Sequence, residues 1–351
     1  MIVDYIIVGA GLAGCSFAEI ALQHQKKILV FENYSQPSST VAGGLINPII
    51  LKRFTEAWNV AEQHEFSIPF FKELEQKLHT NFVFELPIYR KIASVEEQNN
   101  WFTASDKPNL QAFLNPKMHH TKFKHINSDF GFGEVLQTGY MDSKLFLEKY
   151  HQYLSSKELI EYTTFDYESL KIEENYIEYK GSKAKNIVFS EGFGLHKNPF
   201  FKNLPLDGTK GELLIIEARE LPQEIIFKSN VFIMPVGNHL FKVGATYNWD
   251  DKTNEPTAEA KNELMEKLNE LISCDYKIIE HLAGVRPTVK DRRPLVGTHP
   301  TYSNIHILNG LGTRGVYLAP YLANHLYENL EKNKPLLNDI NINRLKKIIW
   351  K

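Results

Sequence analysis

Apolar and polar positions change their spacing several times along this chain, and each change predicts an element. Residues Ile2–Val8 are a nearly unbroken run of β-branched and aromatic types, which predicts a short buried strand. The turn Gly9-Ala10-Gly11-Leu12-Ala13-Gly14 follows, then a helical pattern over 15–23 and a second apolar strand over 27–31 ending in Glu32. Further on, two strands begin at Phe232 and Phe241 and meet at a turn near Gly237 and Asn238. The polar stretch 250–256 predicts a surface loop before a helix over 258–272. Near the end, a strand over 305–308 leads through Asn309-Gly310-Leu311-Gly312-Thr313-Arg314-Gly315 into a helix over 316–330, with Pro320 near its first turn. There is no internal repeat and no low-complexity segment.

The first strand, turn, helix and second strand form a βαβ unit with a specific chemistry. Gly9 permits the tight turn out of the strand, Gly11 lets backbone approach a pyrophosphate, and Gly14 lets the helix pack on the strand. The unpaired N–H groups of a helix start, with the helix dipole, favour an anion there. Glu32, followed by Asn33, stands where a carboxylate accepts hydrogen bonds from the ribose hydroxyls of an adenosine. That acid disfavours the 2′-phosphate of NADP.

Composition narrows the partners. With 351 residues, 43% hydrophobic and 23% charged, the chain reads as an ordinary soluble globular protein of one large or two medium domains. A net charge of −2 argues against a broad electrostatic footprint for nucleic acid. Cys15 and Cys274 are too far apart in sequence for a CxxC pair, and the histidines show no metal-ligand spacing, so no metal is expected. No run reaches about 18 apolar residues, and Asp4 interrupts the N-terminal apolar stretch, so neither a membrane span nor a secretory signal is expected and a cytoplasmic location follows by default.

The βαβ unit alone does not separate NAD from FAD. The small-residue loop at 38–44, with Thr40, Ala42, Gly43, Gly44 and then Leu45, suits a flavin, since a flavoprotein uses such a loop close to pyrophosphate and isoalloxazine. The second glycine turn, Gly310 to Val316, provides a helix start able to stabilise negative charge on a reduced flavin. Two glycine-bearing helix starts at opposite ends of one chain suit a long cofactor held by a discontinuous domain.

Four segments in order now resemble the D-amino-acid oxidase superfamily of flavoproteins, which includes glycine oxidase and sarcosine oxidase. They are the βαβ unit with Glu32, the loop at 38–44, the run Gly284-Val285-Arg286-Pro287 through Asp291 and Pro294 to Gly297, and the turn and helix start at 310–320. The resemblance implies an α/β fold, with a Rossmann-type FAD-binding domain over 1–82, 135–208 and 286–351. An α+β substrate domain on an antiparallel sheet would interleave with it over 83–134 and 209–285. It implies non-covalent FAD, since no cysteine lies in the C-terminal turn. Phe165 and Gly192 join the cofactor-binding set on the same basis, as does Arg286.

The implied reaction is oxidation of the C–N bond of an amino acid or secondary amine by hydride transfer to flavin N5, with oxygen or another acceptor taking the electrons. Arg286 would grip the substrate carboxylate; pairing with Asp291 or capping a helix is its structural alternative. Lys242 matches the lysine that promotes oxygen reduction in the sarcosine-oxidase branch. Thr246 and Tyr247 follow on the same strand and would line the pocket together only across a bulge. Asn47, with Lys52 or Arg53, and Arg314 are further substrate candidates. The order Leu311-Gly312-Thr313-Arg314-Gly315 and the stretch 244–251 also resemble the flavin half of the bifunctional enzyme that trims carboxymethylaminomethyl-uridine in tRNA. That leaves tRNA as a second, less favoured substrate, and a non-catalytic flavin-binding protein as a third reading.

Overall fold

The computed structural model describes residues 1–346. The predicted βαβ unit forms, with strands Ile2–Val8 and Ile28–Phe31 parallel and the helix running Leu12–Gln23, three residues earlier than its hydrophobic pattern marks. Gly14 explains the close packing: a Cβ there would lie 1.8 Å from the Gly9 carbonyl oxygen. Strand Ser182–Phe189 pairs in parallel with Ile2–Val8 and, on its other edge, with Ile305–Asn309. Ile160–Glu161 extends the parallel set, and Ile177–Tyr179, Leu170–Ile172 and Leu295–Thr298 add antiparallel strands, giving eight in all. Strands from the first ten residues and from 305–309 therefore meet in one sheet on either edge of Ser182–Phe189.

The first helix packs against the long helix Gly315–Lys332, which continues through Pro320 and in turn meets the helix Val60–Leu78. Ser67 Oγ donates to the Tyr317 carbonyl at 2.7 Å across that contact. Phe17, Ala18, Tyr317 and Leu322 are among the fully buried side chains that fill this layer.

A second eight-stranded sheet is almost wholly antiparallel. Its order is Lys277–Arg286, Thr209–Glu217, Leu240–Gly244, Phe232–Pro235, Ile226–Lys228, Ile88–Lys91, Phe132–Val135, Leu114–His119. The helix Ala258–Asn269 covers one face through Leu264 and Leu268, which pack with Leu214, Ile233 and Val243. The expected helix to 272 stops at Asn269, and Leu271 and Ile272 bury themselves beyond its end. The expected loop at 38–44 holds one helical turn, Ser38–Val41, before the short strand Leu45–Ile46. The division into two interleaved domains with the boundaries given above stays our proposal; residues 347–351 of its first part lie outside the described residues. No helix among the described residues is long and apolar enough to cross a membrane.

Candidate active site

A cavity of about 580 Å³ is lined by residues of both large sheets. At one end stand Gly9, Gly11, Leu12 and Ala13, with Glu32, Asn33 and Phe165. Gly9 takes a φ of +93°, open to glycine without strain. Glu32 accepts the Ala10 N–H and the Tyr34 N–H, each at 2.5 Å, so the carboxylate is fixed at the strand end with lone pairs to spare. Asn33 Nδ2 donates to Thr164 Oγ1 at 3.3 Å. Phe165 meets Phe31 edge to face. Gly11, the residue that opens the first helix, has no side chain to cap it, and from outside the helix Ser39 Oγ accepts the Leu12 N–H at 3.3 Å. The helix start thus offers donors to the cavity. Ala10 and Gly14 lie behind this wall, where they hold Glu32 and the helix packing.

The other walls are built of glycines and apolar side chains. Ala42, Gly43, Gly44 and Leu45 line the cavity, and a Cβ on Gly43 would sit 2.8 Å from the Phe232 ring. Thr40 faces away and donates to the Pro37 carbonyl at 2.8 Å within the helical turn. Leu311, Gly312, Thr313, Gly315 and Val316 also line it, where the helix Gly315–Lys332 begins with no cap bond from Arg314. Gly310, φ +77°, backs onto Val289 rather than the cavity. Gly192 and Gly312 take φ of +56° and +55°, and a Cβ on either would meet nothing within 4 Å. They expose backbone to open space instead of packing against protein.

Arg286 ends its strand at the seam between the sheets. Its guanidinium lies across Gly211, where a Cβ would stand 1.8 Å from Nη2. Nη1 donates to the Thr246 carbonyl at 3.2 Å, and the Tyr247 ring sits 4.5 Å from the guanidinium carbon. Burial lowers the Arg286 pKa from its ordinary value, with Tyr247 opposing. Among the described residues it has no carboxylate partner: Asp291 pairs instead with Arg344 at 3.0 Å.

The neighbouring candidates divide. The strand ends at Gly244, so alternation does not govern Thr246 and Tyr247. Thr246 is 4% exposed and its Oγ1 accepts the Glu212 N–H at 2.9 Å, whereas Tyr247, 62% exposed, lines the cavity. Lys242 stands behind the lining and donates to the Ala42 carbonyl at 3.3 Å; burial lowers its pKa, against an opposing pull from Asp142. Arg314 turns away, donating from Nη2 to the Asn47 carbonyl at 3.2 Å and resting over Tyr317, with its Nε unpartnered. Asn47 Oδ1 accepts the Ile49 N–H at 2.9 Å, and Lys52 and Arg53 are exposed. Cys15 and Cys274 lie off the cavity, and no group of residues that would hold a metal occurs among those described.

Sequence reasoning missed Ser39, Gly211 and Glu191. Gly211 carried a usable signal, because glycine inside a strand marks a close approach. Glu191 carried none: it lines the cavity next to Gly192, where burial pushes its carboxyl up to about 7 against hydrogen bonds from Tyr167 Oη and Asn198 Nδ2.

Comparisons with known proteins bear on the family and the fold. The family described as FAD dependent oxidoreductase matches residues 4–328. Glycine oxidase of Bacillus subtilis is 29% identical over 171 residues, 46% of this chain and 46% of that protein. The tRNA 5-methylaminomethyl-2-thiouridine biosynthesis bifunctional protein of Marinobacter nauticus is 21% identical over 361 aligned positions, 95% of this chain and 56% of that protein. The chain thus spans about half the length of these curated relatives. The crystal structure of glycine oxidase from Geobacillus kaustophilus shares the fold, with a TM-score of 0.76 at 18% identity and 95% of each chain covered.

Proposed function

Since the chain belongs to the family of FAD-dependent oxidoreductases, we propose that it oxidises the C–N bond of a small amine or amino acid that carries a carboxylate. One observation carries the reading: Arg286 is a partly buried, desolvated cation at the cavity wall with no acidic partner among the described residues. Such a charge is costly to leave unpaired, and a planar guanidinium suits a bidentate carboxylate. Tyr247 and the Thr246 carbonyl hold the guanidinium plane, and Gly211 leaves the space it occupies.

The cavity fits FAD. Two helix starts whose own cap residues make no side-chain hydrogen bond face it, glycine backbone is bare along it, and a fixed carboxylate closes one end. The turn at 9–14 would hold the diphosphate, Glu32 the adenosine ribose, and 42–45 with 311–316 the isoalloxazine. When bound, FAD supplies the two-electron acceptor for the amine. The protein orients the carboxylate through Arg286, and Leu45, Leu213 and Phe232 line the cavity with apolar surface that excludes water. Lys242, a partly desolvated cation behind Ala42, would favour negative charge developing on oxygen, if oxygen is the acceptor.

A second reading has its own support. Tyr247 and Trp249 are 62% and 47% exposed on one loop beside the cavity, as a stacking surface for a base would be. A carboxymethylaminomethyl group is an N-substituted glycine, so Arg286 would serve a modified uridine in tRNA equally well. Anaerobic bleaching of the flavin tests the readings together, against glycine, sarcosine, proline, D-amino acids and tRNA bearing that group. Bleaching by a free amine supports the first, bleaching by tRNA alone the second. Bleaching by none overturns both and leaves a flavin-binding protein without turnover.

A further inference from the structure

The cavity has a second cationic position that the carboxylate anchor leaves unused. In the antiparallel sheet Leu213 pairs with Gly244, Gly244 with Phe232, and Phe232 with Lys228. Directly paired residues share a face. Leu213 and Phe232 line the cavity, and so does Lys228 at the end of that row. Gly211, two residues before Leu213, lies on the same face and carries the Arg286 guanidinium over it. One sheet face therefore presents two cations to one cavity.

The carboxylates around Lys228 are taken by other cations. Its strand partner Arg90 is engaged by Glu97 at 2.7 Å, and Glu263 and Lys267, which both line the cavity, engage each other. Lys228 Nζ donates to the Ser229 carbonyl at 3.2 Å and has no carboxylate partner among the described residues. Burial, with Arg90 and Lys267 adding repulsion, brings its ammonium down to about 8. A cation so placed is completed by an anion that enters the cavity.

We propose that Lys228 receives a second anionic group, a carboxylate or a phosphate-like group, at the far end of a substrate whose amino-acid end rests on Arg286. This rests on the function proposed above and names the class of amine: one with two acids. Three strand spacings separate the strand under Arg286 from the strand of Lys228, roughly 14 Å. The reach of the lysine shortens that gap, so the spacer is a chain of about four to eight methylenes.

The test uses the FAD-loaded enzyme and N-alkylglycines whose alkyl chain ends in methyl, carboxylate or phosphonate. The acid-ended compound of optimal length should have a KM at least about tenfold below its methyl-ended counterpart, and the better of carboxylate and phosphonate identifies the group. In Lys228→Met the ratio of the two KM values should fall to about one, and Lys228→Arg should restore it. Equal KM values in the unaltered enzyme overturn the proposal, as does a ratio that survives in Lys228→Met. Calorimetry with dicarboxylates and monocarboxylates of equal length on the unaltered enzyme decides the matter should the variants fail to fold: tighter binding of the dicarboxylate supports the site, equal binding refutes it. If no amine reduces the flavin, the proposed function fails, while the calorimetric comparison still reports on Lys228 by itself.

Discussion

A methyl group placed on Gly211 tests the carboxylate anchor without altering the arginine. The added Cβ would stand 1.8, 2.0 and 2.2 Å from Nη2, Cζ and Nη1 of Arg286. These are the free end of a flexible side chain, so the strand need not move; the guanidinium must. Displacing it breaks one hydrogen bond to the Thr246 carbonyl and the contact with Tyr247, at a cost to folding of about 1–2 kcal/mol. The substrate loses more. Two charge-assisted hydrogen bonds to its carboxylate are misaligned, worth about 3 kcal/mol together, which is roughly a hundredfold in KM. Gly211→Ala should therefore raise KM for a carboxylate amine about a hundredfold, with FAD content and cooperative unfolding close to those of the parent. Arg286→Met should do the same, and the double variant should add little, because both remove one interaction. A KM within about threefold of the parent in a well-folded Gly211→Ala enzyme would refute the argument, and so would multiplicative effects in the double variant.

Glu32→Ala should weaken FAD at least about tenfold, since it removes the acceptor for the Ala10 and Tyr34 N–H groups as well as for ribose; an unchanged Kd by flavin fluorescence counts against the adenosine end lying there. Glu191 folds with its carboxyl raised to about 7, so between the ordinary carboxylate range and pH 7 the folded chain holds a proton that the unfolded chain has released. Stability should fall as pH rises through that window, by an amount on the order of 3 kcal/mol, and Glu191→Gln should flatten the decline in thermal melts of the FAD-free protein; parallel curves for the two proteins would contradict it. Lys242→Met should slow reoxidation by oxygen far more than anaerobic reduction by the amine, and equal slowing of both half-reactions in stopped flow would remove the oxygen role.

The parts of the fold legible in the sequence are those fixed by local sterics. Gly14 must be glycine because of Gly9, five residues away, and Glu32 is placed by a strand that leaves the same helix. The turn before the helix Gly315–Lys332 is readable for the same reason, down to the bare backbone of Gly312. The order within the substrate wall is set instead by pairing between distant strands. Arg286 stood out in its motif, yet its bed on Gly211 exists only because strand Lys277–Arg286 pairs with Thr209–Glu217. Thr246 was assigned by alternation along a strand that in fact ends at Gly244, so its side chain supports Glu212 while its carbonyl holds Arg286. Arg314 sits in the right turn but rotates into the layer of Asn47 and Tyr317.

Lys228 marks the limit of sequence reading most clearly. On a short strand before a turn, a lysine reads as solvent-facing, and no spacing distinguishes it from its neighbours. It gains chemical meaning from four successive strand pairings that carry one sheet face from Arg286 to the other end of the cavity. The cofactor end is therefore a local code, which a single segment can state. On the proposed reading, substrate choice would reside in which side chains the antiparallel sheet brings into one row, and that depends on register: sliding strand Ile226–Lys228 by one residue would put Phe227 in the cavity and Lys228 in the apolar layer under the helix Ala258–Asn269.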